Sequence, residues 1–371
     1  MEQTVDSELP RPPRAPRFAT MFPMPSALYR GLFRPILFSL DAETAHHLIL
    51  SMLSMTPPLP VPADPSELRS TLWGLDFSNP IGLAAGMDKD AIAISAWQSL
   101  GFGFAELGTV TPRPQPGNPK PRVFRIPAQH ALINRLGFPG EGMDTVAPRI
   151  ERARRTGMRI RIALNFGPNK DTPPEQVAAD YAALMTRLGG LADFIVINVS
   201  SPNTPGLRNW QSPERIRELF AALERRAPIL LKIAPDLDDA MLESICETAL
   251  DLKLDGMVVC NTTLQREEVG ITSAEAGGLS GPPLRELARD RIARVYRSAQ
   301  GKLPIVGVGG IASASDALGH IKAGASLVEL YTGLIYEGPG LIATMKKELA
   351  NLLRREGFRS ISDAVGSAVK V

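Results

Sequence analysis

The clearest pattern in the chain is an alternation between short apolar runs and longer stretches with an apolar residue every three or four positions. The runs at 80–84, 103–109, 160–166, 193–199, 228–234, 256–262, 303–309 and 326–331 have the length and β-branched content of fully buried strands. Helical periodicity follows them, for instance at 174–189, 213–225, 238–253, 285–299, 313–323 and 339–355. Strand followed by helix predicts a parallel sheet, and eight such units from residue 78 onward predict an α/β fold of the TIM (β/α)8 type. A doubly wound open sheet is the competing architecture, yet no strand end opens a helix with the GxGxxG expected there.

Ahead of the barrel the pattern changes. Residues 1–25 hold six prolines and little periodicity, and read as a disordered tail. Residues 26–56 read as a helical hairpin. Its second segment starts at Asp41, a good N-cap, and sets Ala45, Leu48, Ile49, Met52 and Leu53 on one face. Its first, Leu28 to Phe38, places Tyr29, Leu32, Phe33, Ile36 and Leu37 beside Arg30 and Arg34, and Pro35 is expected to bend it. These apolar faces suit packing against the barrel or contact with a membrane surface, with basic residues at the headgroups. Thr56 to Pro65, with five prolines, opens a stiff linker over 57–77, and the barrel takes 78–371.

Composition narrows the function. With 371 residues and 44% hydrophobic content there is ample core, and 41 basic against 39 acidic residues give a net charge of only +2, which does not suggest a nucleic-acid partner. Two cysteines and four histidines form no metal-ligand spacing, so no metal is expected. No apolar run approaches the length of a spanning helix. The N-terminus lacks a secretory signal core; Arg11, Arg14 and Arg17 leave an organellar transit sequence open, against the early acids Glu2, Asp6 and Glu8.

Closing a barrel gathers the C-terminal strand ends around one cavity. Here they are Ala84 to Lys89, Gly108 to Thr111, Asn165 to Gly167, Asn198 to Asn203, Lys232, Asn261 to Thr263, Gly307 to Gly310 and Tyr331 to Gly333. Asn, Thr, Gly and Lys dominate, without His and with few carboxylates, which argues against a glycosidase pair or a metal hydrolase. The fourth strand ends in Asn198-Val199-Ser200-Ser201-Pro202-Asn203-Thr204-Pro205-Gly206, a set of amide and hydroxyl groups suited to a small ring bearing amides, or simply to a turn. Gly309 and Gly310 at strand seven, with Tyr331 to Gly333 at strand eight, stand where barrels commonly bind phosphate. Lys232 suits a Schiff base, a fixed charge beside an electron-accepting ring, or a snorkelling strand-end residue.

Taken together, Ala84-Ala85-Gly86-Met87-Asp88-Lys89, Gly108 to Arg122 with Asn134 to Phe138, Asn198 to Leu207, Asn261-Thr262-Thr263, Gly277 to Gly281 and Gly307 to Ile311 resemble the membrane-associated, quinone-linked class of dihydroorotate dehydrogenases, over about residues 28–355. The resemblance implies FMN in a TIM barrel, oxidation of dihydroorotate to orotate in pyrimidine synthesis, and a ubiquinone-type acceptor reached between the helices of 28–55. It implies that Ala85, Gly86, Met87, Asp88, Lys89, Thr109, Asn165, Asn198, Lys232, Cys260, Gly281, Gly310, Tyr331 and Thr332 hold FMN. Lys89, Asn134, Arg135, Leu136, Gly137, Phe138, Asn198, Asn203, Asn261 and Thr262 would hold the substrate, and Ser201 would be the catalytic base, with Ser200 its competitor. Cys260 departs from the threonine of many relatives, which puts a side-chain contact there in doubt. The soluble classes, which pass electrons to fumarate or NAD, use a cysteine base and lack the hairpin, so serine and hairpin together point to quinone. The expected location is peripheral, at the cytoplasmic face of a bacterial inner membrane. A Schiff-base lyase centred on Lys232 is the rival of another class.

Overall fold

The computed structural model describes residues 24–204 and 206–370, so most of the expected tail lies outside it. Eight parallel strands close into a barrel: β1 (Ile81–Leu83), β2 (Phe104–Val110), β3 (Arg161–Phe166), β4 (Phe194–Asn198), β5 (Ile229–Ile233), β6 (Gly256–Val259), β7 (Ile305–Val308) and β8 (Leu327–Leu330). Each strand pairs with its sequence neighbour, and β8 closes on β1 through Val328 opposite Ile81. The expected helices form the outer layer, including Val177–Leu188, Asp239–Asp251 and Leu341–Arg355. Nearly every strand residue is buried, because one face meets the barrel interior and the other the helices.

Side chains alternate along a strand, so residues two apart occupy successive interior layers. The lower layer is apolar: Phe104, Ala163, Phe194, Val196, Leu230, Val258, Val306 and Leu327 form one cluster. Two residues further along the same strands come Glu106, Asn165, Asn198, Lys232, Cys260, Val308 and Glu329. The barrel is thus filled with hydrocarbon below and polar groups above. Gly82 is required here, since a methyl group in its place would overlap the Phe104 ring.

The stretch 57–77, expected as a linker, carries a structural element of its own. Strands Ser70–Leu72 and Leu75–Phe77 form an antiparallel hairpin that closes the barrel floor. Trp73 and Phe77 pack on Phe194 and Phe104, with ring centroids 5.2 and 5.8 Å apart, and the Trp73 indole donates to the Asp255 carbonyl at 2.7 Å.

At the opposite end the long β2 connection forms strands Val123–Ile126 and Ala131–Asn134, joined by Gly278–Ser280 from the loop after β6. This three-stranded antiparallel sheet flanks the mouth. The strands escape a reading based on strand–helix alternation because they sit inside a proline-rich insertion.

The N-terminal segments also fold against the mouth. A turn at Ser26–Leu28 and a π-helical stretch at Tyr29–Phe33 lead into α1 (Arg34–Ser39), and α2 (Ala42–Ser54) follows. Asp41 caps α2 by accepting from the Thr44 N–H at 2.9 Å. Pro35 falls in the first turn of α1, where its missing N–H is tolerated, directly after the wider π turns.

Candidate active site

The polar strand ends line one cavity, shared among Ala84, Ala85, Gly86, Lys89, Thr109, Asn134, Leu136, Gly137, Phe138, Asn198, Ser201, Asn203, Lys232, Cys260, Asn261, Thr262, Gly281, Gly310, Tyr331 and Thr332. Ser280, Val308 and Leu284 also line it. Of the remaining expected residues, Asn165 lies just beneath, bonded to the lining, while Met87 faces the adjoining tunnel.

Asp88 and Arg135 point elsewhere. The Asp88 carboxylate is fully buried and accepts from the N–H groups of Ile92 and Ala93 and from the Trp97 indole, each at 2.9 Å, so it anchors the loop before helix Ile94–Leu100. Arg135 stacks on Phe124 at 4.4 Å and pairs with Glu275 at 2.8 Å, on the outer side of its loop. Neither side chain lines the cavity.

The cavity floor is a connected network. Thr109 donates to the Asn165 Oδ1 at 2.5 Å, and Asn198 Nδ2 donates to the same oxygen at 3.1 Å and to Thr109 Oγ1 at 3.0 Å. Asn165 in turn donates to Glu106, which accepts from Lys232 Nζ at 2.9 and 3.0 Å. Burial would pull the Lys232 pKa down, but the Glu106 carboxylate holds it above the ordinary lysine value. Glu106 and Glu329 were missed by the reading of strand ends. A single carboxylate inside an otherwise apolar strand, as in Phe104-Ala105-Glu106-Leu107 and Leu327-Val328-Glu329-Leu330, is the signal that marks them.

The two serines separate cleanly. Ser200 Oγ donates to Asn198 Oδ1 at 3.0 Å and accepts from Asn261 Nδ2 at 2.9 Å, and it is fully buried away from the cavity. Ser201 lines the cavity and accepts the Asn203 N–H at 3.2 Å, leaving its proton and a lone pair for a ligand. Arg208 braces this loop, donating to the Ser200 carbonyl at 3.0 Å, the Thr262 carbonyl at 3.1 Å and Asp236 at 2.7 Å.

On the far side, Gly309 and Gly310 both have positive φ, and a methyl group at Gly310 would overlap the Arg285 backbone. Arg285 holds this turn by donating to the Gly310 carbonyl at 3.0 Å and by ion-pairing with Asp316 at 2.8 Å. The turn precedes helix Ala314–Lys322, while Thr332 and Gly333 after β8 border the cavity beside it. The donor set fits a phosphate here and a polar ring over Lys232, Asn198 and Thr109.

An apolar tunnel of about 720 Å³ runs from the N-terminal segments to this cavity, and Lys89, Val123, Leu132, Leu136 and Tyr331 border both. Phe33, Leu37, Phe38, His46, Leu50 and Leu53 line its walls. Lys89 Nζ donates to the Gly86 carbonyl at 2.6 Å, and desolvation pushes its pKa down to about 8. Burial, reinforced by the Lys89 charge, lowers His46 to about 3, so it is neutral at physiological pH.

The family profile described as dihydroorotate dehydrogenase matches residues 67–353. Relatives described as dihydroorotate dehydrogenase (quinone) include one from Acidithiobacillus ferrooxidans, 48% identical over 360 residues, covering 91% of this chain and 99% of the relative. Another, from Rhodospirillum rubrum, is 48% identical over 345 residues, covering 90% of this chain and 93% of its own. Among solved structures, the Eimeria tenella DHODH complex with ferulenol superposes with a TM-score of 0.84 at 37% identity, covering 90% of this chain and 98% of that one. With the matched profile spanning most of the barrel and the relatives aligned almost end to end, the chain belongs to the dihydroorotate dehydrogenase family.

Proposed function

We propose that this protein oxidises dihydroorotate to orotate with FMN as its redox cofactor and a ubiquinone-type quinone as the final acceptor, in pyrimidine synthesis. The observation that carries the proposal is the adjacency of a polar, phosphate-ready cavity and an apolar tunnel, separated only by Lys89 and Tyr331 and their neighbours. The two half-reactions need those two environments. Bound FMN would supply the acceptor for two electrons.

The residues present fit the cofactor. Gly309, Gly310 and the turn at Tyr331 to Gly333 would take its phosphate, and Thr332, bonded to Ser280 at 2.8 Å, borders that end of the cavity. Lys232, Thr109, Asn165 and Asn198 would meet its ring, with Lys232 placing positive charge where reduction adds electrons. Ala85, Gly86, Cys260, Gly281, Gly310 and Tyr331 would contribute backbone or apolar contacts.

Dihydroorotate presents amide donors and acceptors and one carboxylate. Asn134, Asn198, Asn203 and Asn261 can satisfy its ring edges, and Lys89 can balance its carboxylate. Asn203 Nδ2 already donates to Asn134 Oδ1 at 3.2 Å, so two of these amides are held together before substrate arrives. Oxidation removes a proton from C5 and a hydride from C6. Ser201 would take the proton. Thr204, whose buried hydroxyl has no partner among the described residues, or an ordered water would pass it on.

The N-terminal helices would rest on a membrane and admit the quinone. Six of the seven large exposed apolar residues among those described belong to this segment: Leu28, Leu32, Ile36, Leu40, Leu48 and Met55. Arg30 and Arg34, expected at the headgroups, instead reach Glu337 and the Tyr336 carbonyl, both at 3.1 Å, and fasten the segment to the barrel. No helix among the described residues is long and apolar enough to cross a membrane. The contact in this proposal is peripheral, at the cytoplasmic face of a bacterial inner membrane.

A Lys232 Schiff base is disfavoured, since it needs a neutral amine and this one is ion-paired to Glu106. A cysteine base is disfavoured as well: burial pushes the Cys260 thiol far above its ordinary pKa. The test is turnover of dihydroorotate by purified protein with a soluble ubiquinone analogue, fumarate or NAD as acceptor. Turnover with quinone alone is expected; turnover only with fumarate or NAD would overturn the quinone and membrane assignments.

A further inference from the structure

We propose that Glu329 is a neutral carboxylic acid that donates its proton to Glu106, making it a positioning residue that limits the negative charge beneath Lys232 to a single carboxylate. Three ionisable groups meet at the cavity floor, where Lys232 and Glu329 line it and Glu106 lies beneath. Glu106 and Glu329 are completely inaccessible to solvent, and Lys232 nearly so. Two carboxylates facing one ammonium in such a place would leave an uncompensated charge, which a buried site tolerates poorly. One proton is therefore shared between the acids.

Geometry decides which acid carries it. Both oxygens of Glu106 accept from Lys232, and one also accepts from Asn165. Glu106 is thus solvated as an anion. Glu329 stands 4.0 Å from Lys232 Nζ, and neither of its oxygens accepts a hydrogen bond from any described residue. A carboxylate without donors is the one that takes the proton, and the neighbouring Glu106 is its natural acceptor. Burial and then the charge of Glu106 push the Glu329 pKa well above the ordinary carboxylate value, in the same direction.

The consequence is electrostatic. Lys232 sees one full negative charge rather than two, so part of its field remains directed into the cavity, toward the ring that accepts electrons. This last step rests on the FMN reading given above; the protonation of Glu329 does not.

Infrared difference spectroscopy tests the two separately. Apoprotein and FMN-loaded protein should both show a protonated buried carboxyl C=O band that is lost in Glu329→Gln. The same band should vanish in Glu106→Gln, because Lys232 then has Glu329 as its only counter-ion and that acid ionises. A wild-type band unaltered by Glu329→Gln overturns the proposal, as does a band that persists in folded Glu106→Gln. Because Glu329→Gln is isosteric, its comparison with wild type decides the protonation state even if Glu106→Gln does not fold.

Redox titration of the loaded protein supplies the second readout. Replacing a neutral acid by a neutral amide should leave the flavin midpoint potential at the wild-type value. A clear shift to higher potential in Glu329→Gln would mean that a negative charge had been removed, and would overturn the assignment. A protein that binds no flavin would defeat the FMN reading while leaving the apoprotein band to be judged on its own.

Discussion

Ser200 and Ser201 differ by one position and by everything their hydroxyls touch. Ser200 is enclosed by Asn198 and Asn261, whereas Ser201 faces the cavity. Ser201→Ala is therefore expected to slow flavin reduction by dihydroorotate by roughly 10²- to 10⁴-fold, as for loss of a general base, with orotate still bound. Ser200→Ala should mainly weaken binding, through Asn198 and Asn261. Stopped-flow reduction of the two variants checks this, and the reverse ranking would exchange their roles. Lys89 adds a pH dependence. Its desolvated ammonium loses its proton near pH 8, and only the charged form pairs with a carboxylate. The KM for dihydroorotate is thus expected to rise as pH climbs through about 8, with kcat less affected. A KM that stays flat through that range would remove Lys89 from the substrate site.

At the scale of elements, the N-terminal segment is tied to the barrel by a buried ion pair. Glu43 on α2 accepts from Arg122 Nη2 at 2.6 Å and from its Nε, and Arg122 also donates to the Pro116 and Asn118 carbonyls at 2.6 and 2.7 Å. Burial alone would raise the Glu43 pKa, but Arg122, with Lys120, overrules it and holds the group at about 2. Glu43→Ala leaves Arg122 buried without its counter-ion, and should cost about 3–5 kcal/mol, read by denaturant unfolding. A loss well under 1 kcal/mol, within the range of a surface pair, would show that water replaces the contact. The outer face makes a different prediction. Leu32→Glu with Ile36→Glu, at positions 52% and 59% exposed, should leave the fold intact and abolish cosedimentation with phospholipid vesicles. Turnover with a soluble quinone analogue should survive; undiminished vesicle binding would refute the membrane role of this segment.

For the whole molecule, the interior is layered, and the apolar lower layer supports the polar upper one. Phe104 is fully buried between the floor hairpin and Phe194. Phe104→Ala should destabilise the barrel by about 3–5 kcal/mol in urea unfolding, and a loss under about 1 kcal/mol would mean that the floor hairpin collapses into the space. Barrel architecture, the order of eight strands and most of the cavity lining were legible in the chain, because strand length, helical period and strand ends are local properties. Buried parallel strands write themselves as apolar runs, and barrel closure then carries their ends to one mouth. The floor hairpin and the antiparallel sheet were not legible, since strands of three or four residues among prolines carry little periodicity.

What the sequence by itself determined is therefore the barrel, the family resemblance and the residue types at its mouth. Tertiary structure alone decided the rest: that Ser201 and not Ser200 faces the cavity, that Asp88 anchors a loop, that Arg30 and Arg34 turn toward the barrel, and that Glu106 and Glu329 share one lysine. Lys232 and Glu106 are 126 positions apart, and their contact exists only because strand register and closure bring two inward-facing positions to the same height. Local periodicity can say that a side chain points inward, but which inward side chains meet depends on how the whole sheet curls.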